Sequence, residues 1–334
     1  MERRYRRSLL SLTIALPVAI LLSAGLGAYF IAPWRIPAIL FAGADAEAYQ
    51  VLAYVRFPRV LLSVIVGAGL ACSGACLQGL FRNPLADPGL IGVSSGAAVG
   101  AGLWIVFSGP AMGGFGMPIA AFVGALLVTT LAWRVACRIG RISVAALLFA
   151  GIALTAIAQA FIGLLTYVAS EDELRNLIFW QMGSFGYATW HLVIVTALLS
   201  AVGLYLLLKS SRALNAMAFG ESTAFSLGVS TEALKRRVLI GTALTVGAGV
   251  AAAGGIGFVG LIVPHLLRMA VGADHRWLLP ASIVSGAAFM TATDLAARTV
   301  AQPVELPVGI ITAFTGAPFL LWLLVRERGK AVYA

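Results

Sequence analysis

Charge is what this sequence holds least of. Only 11% of its 334 residues are Asp, Glu, Lys or Arg, against roughly 25% in an average soluble domain. By contrast 60% are hydrophobic, and the mean hydropathy is +0.97. A water-soluble globule of this length could not hide so much apolar surface, so the solvent must be largely lipid. Cysteine is also scarce. Cys72, Cys76 and Cys137 all lie in apolar stretches, so no disulfide framework is implied. Cys72 and Cys76, four residues apart on one helix face, read as small packing residues rather than metal ligands.

The groups that carry chemistry are missing too. There is no G-x-x-x-x-G-K-[ST] phosphate loop, since Gly329-Lys330 is followed by Ala331 and lacks the upstream glycine. His191, His265 and His275 stand singly, which favours structural hydrogen bonding over catalysis or metal binding. No acid, base or metal set clusters, which argues against a membrane-embedded enzyme. Carboxylates within the apolar runs are nearly absent, and Asp294 is close to the end of its run. A proton-coupled carrier buries ionisable relay groups. A secondary transporter or stand-alone channel is therefore the weaker reading, and energy is expected from elsewhere.

What is present is a series of apolar runs. Ten of them, near the ~20 residues that cross a bilayer, fall at about 9–32, 60–80, 90–107, 117–136, 143–168, 190–208, 237–254, 257–272, 278–296 and 307–325. The first exceeds the roughly 7–15 residues of a signal-peptide core, and no convincing cleavage site follows; it is expected to be a retained span. With the N-terminus inside, 18 of the 23 Lys and Arg lie at or near the cytoplasmic face. Arg35, Arg56, Arg59, Arg175 and Arg298 remain outside, as the positive-inside rule requires. The formal charge of +10 thus marks the inner leaflet, not nucleic acid. The expectation is an all-α polytopic membrane protein of ten transmembrane helices, one domain over 1–334, with both termini cytoplasmic. It would expose a cytoplasmic segment at 209–237 and a periplasmic one at 169–190.

Glycine is plentiful, at 37 residues. Gly92, Gly96 and Gly100 form a small-xxx-small ridge of the kind that lets helix backbones approach in lipid. Shifting the sequence by 180 residues aligns Gly67–Gly74 with Gly247–Gly254 and Pro84 with Pro264. Because an odd number of crossings separates them, spans two to five and seven to ten would be an inverted repeat.

Three segments could carry work. Between Lys209 and Arg237, Gly220 and Gly228 mark turns around short helical pieces. Leu214, Met217, Phe219, Phe225 and Leu227 there would meet water unless covered, by another protein or by the helix ends themselves. Arg56, Arg59 and Arg298, scarce external arginines, are natural forks for carboxylates on a partner or headgroup anchors. The aromatics between Ser170 and His191 could form an interfacial belt or line the mouth of a pathway.

These strings resemble the FecCD permease family, importers of iron-siderophores, haem and vitamin B12. The likeness is carried by Arg56-Phe-Pro-Arg59, Gln78 with Arg82-Asn-Pro-Leu-Ala-Asp-Pro88, and Leu214-Asn215 through Gly220-Glu221 to Leu227-Gly228. It continues in Gly254-Gly-Ile-Gly-Phe-Val-Gly-Leu-Ile-Val-Pro-His265-Leu-Leu-Arg268, Asp274-His-Arg276, Asp294 with Arg298, and Glu305-Leu-Pro-Val-Gly309. The resemblance implies a type II ABC importer permease in a bacterial inner membrane, working as a homodimer by ATP-driven alternating access. Two ATP-binding cassette subunits would sit beneath it and a periplasmic binding protein above. Nothing would be bound permanently, and ATP would be used only by the partner subunits.

Carried over by position, Arg56, Arg59 and Arg298 would meet glutamates of the binding protein. Leu214, Asn215, Gly220, Glu221, Ala224 and Gly228 would belong to the coupling segment seated in the ATPases. Leu174-Arg175-Asn-Leu-Ile-Phe-Trp180-Gln-Met182-Gly-Ser184 is similar to the version in haem permeases. Haem is therefore the favoured cargo, with a siderophore or cobalamin as alternatives. Arg175, Trp180, Met182 and His191 would border the pathway, and Arg175 could pair with a haem propionate.

Overall fold

Apolar runs in lipid must satisfy every backbone polar group internally, and helices do so within one segment. The computed structural model describes residues 2–43, 45–108, 115–138 and 141–331. Helix α1 spans Glu2–Gly25. A single 3-10 turn at Pro33–Arg35 precedes α2 (Ile36–Ala42) and α3 (Ala46–Gln50), the latter started by Asp45, which accepts from the Ala48 amide at 3.0 Å. A π-helical stretch, Val51–Arg56, runs straight into α4 (Phe57–Phe81). After a second 3-10 turn at Pro88–Ile91 come α5 (Val93–Phe107) and α6 (Gly116–Ala136). Two-residue strands, β1 (Cys137–Arg138) and β2 (Arg141–Ile142), pair antiparallel with Cys137 opposite Ile142. This small hairpin is the one departure from an all-α chain among the described residues, and alternation of two residues is too short a signal to read in sequence.

Then follow α7 (Val144–Val168), α8 (Glu171–Met182), α9 (Trp190–Leu208), α10 (Ser211–Met217) and α11 (Glu221–Ser226). The series closes with α12 (Thr231–Ala253), α13 (Val259–Val271), α14 (His275–Thr299) and α15 (Val308–Ala331). Among the described residues, six helical segments are long and apolar enough to cross a membrane: Ala46–Phe81, α6, α7, α9, α12 and α14. Shorter apolar stretches, Ile14–Gly25, α5, α13 and Val308–Leu323, occupy the other four runs expected to span. Two of these are cut short by backbone geometry. Helix α5 begins only after Gly92 at φ 80°, and α13 lies between Phe258 at φ 69° and Gly272 at φ 82°, left-handed conformations that no α-helix can pass through.

The centre of the bundle is α4, whose most apolar window is 83% buried, whereas those of α6, α7 and α9 are 28% buried and turn apolar side chains outward. Helices α4 and α14 run antiparallel over their full lengths. Arg59 meets Asp294, Ser63 meets Thr291 at 3.1 Å, and Gly79 faces His275. Between these, Gly67 and Gly286 bring the two backbones together so closely that a Cβ on either would overlap the other's carbonyl. The helices that carry the two echoing segments, α4 and α12, also pack on one another, with Ser73 Oγ 2.8 Å from Thr245 Oγ1 and Gly249 against Val66. Rising numbers on α4 meet falling numbers on α12, so this pair too is antiparallel. Pro84 and Pro264 do not share a local structure, since the first lies in a loop and the second inside α13.

The glycine ridge does what its spacing predicts. Cβ atoms added at Gly96 and Gly100 would strike the carbonyls of Gly124 and Ala120 on α6. Replacing Gly96 with Leu should push α5 and α6 apart and destabilise the protein by about 1–3 kcal/mol or more. Unfolding in detergent measures it, and an unchanged midpoint would rule out this contact as a determinant of packing.

Candidate functional sites

Two groups of polar side chains stand out, at opposite ends of the α4–α14 pair. At one end sit three arginines. Arg59, on the first turn of α4, places Nε 3.0 Å from both oxygens of Asp294 and Nη2 2.9 Å from Oδ1. Its Nη1 donates to Glu305 at 2.8 and 3.1 Å. Arg298, one turn beyond Asp294, lies 3.8 Å from that carboxylate and donates to Ser23 Oγ at 2.7 Å and to the Ser23 carbonyl. Arg56 donates to the carbonyls of Ala24, Gly25 and Tyr29, the Gly25 bond measuring 2.7 Å. Gly27, at φ +150°, spans both guanidiniums, so that a Cβ there would lie 3.1 Å from Arg56 and 3.3 Å from Arg298.

All three arginines are buried, and Asp294 is wholly so, whereas the Glu305 side chain is 51% exposed. Sequence reasoning expected free forks aimed outward. In the folded chain the forks are already occupied from within, because a guanidinium out of water needs carboxylates or carbonyls around it. The Asp294–Arg298 spacing of four was the one local hint; the Arg59 pairings, across more than 230 residues, left no trace in sequence. Three guanidiniums face two carboxylates, so the cluster keeps one positive charge in excess.

At the other end is the α10–α11 segment. Helix α10 packs on α4 and α14. Asn215 clamps it to α14. Its Nδ2 donates to Asp274 at 2.6 Å, and its Oδ1 accepts from the His275 amide at 2.9 Å and lies 2.8 Å from His275 Nδ1. Hydrogen bonds from Arg276, chiefly, hold the Asp274 carboxyl well below the usual carboxylate range. A depressed carboxyl stabilises the fold above its unfolded value of about 3.9, and that contribution fades only as pH falls further through the folded value. The seat of α10 is thus unaffected near neutrality.

Gly220 and Gly228 both adopt positive φ, 107° and 82°, as turn points should. Gly220 separates the two helices and Gly228 ends the second. The apolar residues divide in two. Leu214, Met217 and Ala224 are buried and form the base, as the alternative of folding back on the helix ends required. Phe219, Phe225 and Leu227 are 75%, 72% and 65% exposed and form a crown. Glu221 opens α11 and reaches Lys235 of α12 at 2.5 Å.

From His275 to Asp294, α14 advances 19 residues, or about 28 Å, close to the ~30 Å hydrocarbon thickness of a bilayer. About one membrane thickness along α14 thus separates Asp294 from the turn that Asn215 of α10 clamps.

The third expected group is only partly assembled. Helix α8 carries Arg175, exposed, and Trp180 and Met182 near its end. That end seats where Ser184 N donates to Ala253 O at 2.8 Å and Val308 N to Gly183 O at 3.0 Å, joining α12 and α15. His191, on α9, instead packs edge-on against Phe115, with ring centroids 5.9 Å apart.

The FecCD transport family profile matches residues 15–326. The chain belongs to the FecCD transport family. It is 46% identical over 277 residues to the hemin transport system permease protein HmuU of Yersinia pestis, covering 82% of this chain and 83% of that one. It is 39% identical over 331 residues to the vitamin B12 import system permease protein BtuC of Klebsiella pneumoniae, covering 98% and 96%. A solved inward-facing conformation of an ABC transporter described as metal-chelate type superposes with a TM-score of 0.86 at 34% identity, over 96% of this chain and 99% of that one. This is a multi-pass membrane protein and the permease subunit of an ABC importer. Its relatives are permease subunits, in line with the missing nucleotide-binding motif.

Proposed function

We propose that this permease works as a homodimer in a bacterial inner membrane, passing haem inward by ATP-driven alternating access. The observation that carries the reading is the crown of Phe219, Phe225 and Leu227, set on a buried base of Leu214, Met217 and Ala224. Large apolar side chains in the aqueous phase need a protein cover, and a pair of ATP-binding cassette subunits would supply it. The likeness to HmuU and the exposed Arg175 on α8 favour haem, whose propionates such an arginine can pair with in passing.

The opposite end is assigned to a periplasmic binding protein that presents carboxylates. Its approach would exchange one acidic partner of Arg59 for another, because Glu305 is the half-exposed member of the cluster. Glu305→Gln should therefore tighten docking severalfold and steepen its dependence on salt, since one competitor for Arg59 is gone. Titration of the binding protein onto the reconstituted complex tests this, and weaker docking would reverse the assignment.

The cargo is tested optically. Haem-loaded binding protein should stimulate ATP hydrolysis by the complex in vesicles and deliver a haem absorption band to the lumen. Cobalamin is the second reading, favoured by the near full-length match to BtuC, and delivery of cobalamin but not haem would select it.

A further inference from the structure

Lys235 is a buried ammonium at the base of α12, with its side chain 3% exposed. An ammonium has three N–H donors, and here each has a different acceptor. Glu221 of α11 accepts at 2.5 Å, Glu232 one turn back on α12 at 2.9 Å, and the Ile142 carbonyl at 2.6 Å. Glu232 in turn accepts from the Ile142 amide at 2.7 Å. The pair Glu232 and Lys235 thus grips both backbone groups of a single residue. That residue ends β2 and sits next to Ser143, whose hydroxyl caps α7 by accepting from the Ala146 amide at 3.3 Å.

The connection this makes is short and stiff. From Glu221 to Ile142 there is one nitrogen, and between Ile142 and the first turn of α7 there is one residue, Ser143. Helix α7 has 25 residues, about 37 Å of unbroken rod, and at its far end only two residues intervene before α8, which carries Arg175, Trp180 and Met182. Displacing α11 at one face of the membrane therefore pulls on the foot of a rod whose head stands beside the proposed mouth of the pathway. A bare stabilising role does not call for this arrangement. An exposed glutamate would leave α11 solvated, whereas burying an ammonium is costly unless every donor is met.

We propose that Lys235 is the positioning residue that transmits movement of α11 to α7, acting through its bonds to Glu221 and the Ile142 carbonyl. This rests on the reading of α10–α11 as the ATPase seat.

The test uses the whole importer, permease with its ATPase subunits and binding protein, in vesicles. Lys235→Met keeps the length of the side chain and removes the charge and donors. The ATPase subunits should still copurify and hydrolyse ATP, while cargo delivered per ATP falls at least tenfold. Lys235→Arg, which restores charge and donors, should recover most of the ratio. Amide exchange gives a readout that loss of stability alone would not mimic. In the native complex, a non-hydrolysable nucleotide should change exchange over residues 142–147; in Lys235→Met that response should vanish, whatever the baseline. If Lys235→Met fails to assemble, Glu232→Ala, which releases the Ile142 amide but leaves Lys235 bonded to Glu221, should lower the ratio by a smaller factor. An unchanged ratio and an intact nucleotide response in either variant would overturn the proposal. Failure of the underlying reading looks different, since Phe225→Ser and Leu227→Ser would then leave ATPase binding untouched.

Discussion

Asp294→Leu should destabilise the permease by about 3–5 kcal/mol, the usual cost of stranding a buried charge. Asp294 is wholly buried and faces Arg59 at 2.9 Å and Arg298 at 3.8 Å. Removing it leaves Arg59 with Glu305 alone and Arg298 with the Ser23 contacts. Pairing Asp294→Leu with Arg59→Met removes the orphan along with its partner, so the double variant should be more stable than Asp294→Leu alone. Unfolding in detergent, run as a double-mutant cycle, measures the coupling. Strict additivity would mean that the arginine cluster is not a unit, and would remove the basis for an exchange of carboxylates at Arg59.

Phe225→Ser and Leu227→Ser should release the ATPase subunits while leaving the isolated permease as stable as before. Both side chains are largely exposed, so their loss removes nothing from the fold. An apolar anchor at the centre of an interface contributes about 2 kcal/mol or more, roughly a thirtyfold change in affinity for each. The neighbouring Leu214 gives the opposite result. It is wholly buried, so Leu214→Ala should cost about 2–5 kcal/mol of stability and affect ATPase binding only through the fold. Measuring copurification and unfolding on the same three variants separates crown from base. If Phe225→Ser and Leu227→Ser destabilise the permease and spare assembly, the crown is not a docking surface.

Much of this was legible in composition and spacing. A chain this apolar and this poor in charge has to lie in lipid, and the ridge Gly92, Gly96, Gly100 predicts a close helix pair without saying which helix is the partner. The turn glycines at 220 and 228 were also readable, because positive φ leaves few other residues to choose from. The division of the 209–237 segment was not. Leu214 and Phe225 are equally apolar letters, and which of them faces water depends on where the ends of α4 and α14 stand.

The arginines make the same point more sharply. Their scarcity singled out Arg56, Arg59 and Arg298, but apart from the Asp294–Arg298 spacing nothing in the local sequence showed them enclosed by Ser23, Asp294, Glu305 and the carbonyls of Ala24, Gly25 and Tyr29.

Sequence alone determined the solvent of this protein, its helical character, and the family to which it belongs, because these follow from how much apolar surface must be hidden and from residue types at set spacings. Tertiary structure alone decided that α5 and α13 are short helices bounded by positive-φ residues, that Arg56, Arg59 and Arg298 are enclosed from within, and that Lys235 joins α11 to the foot of α7. Contacts between residues as far as 275 positions apart are made by packing, and packing is a property of the folded bundle that no window along the chain contains.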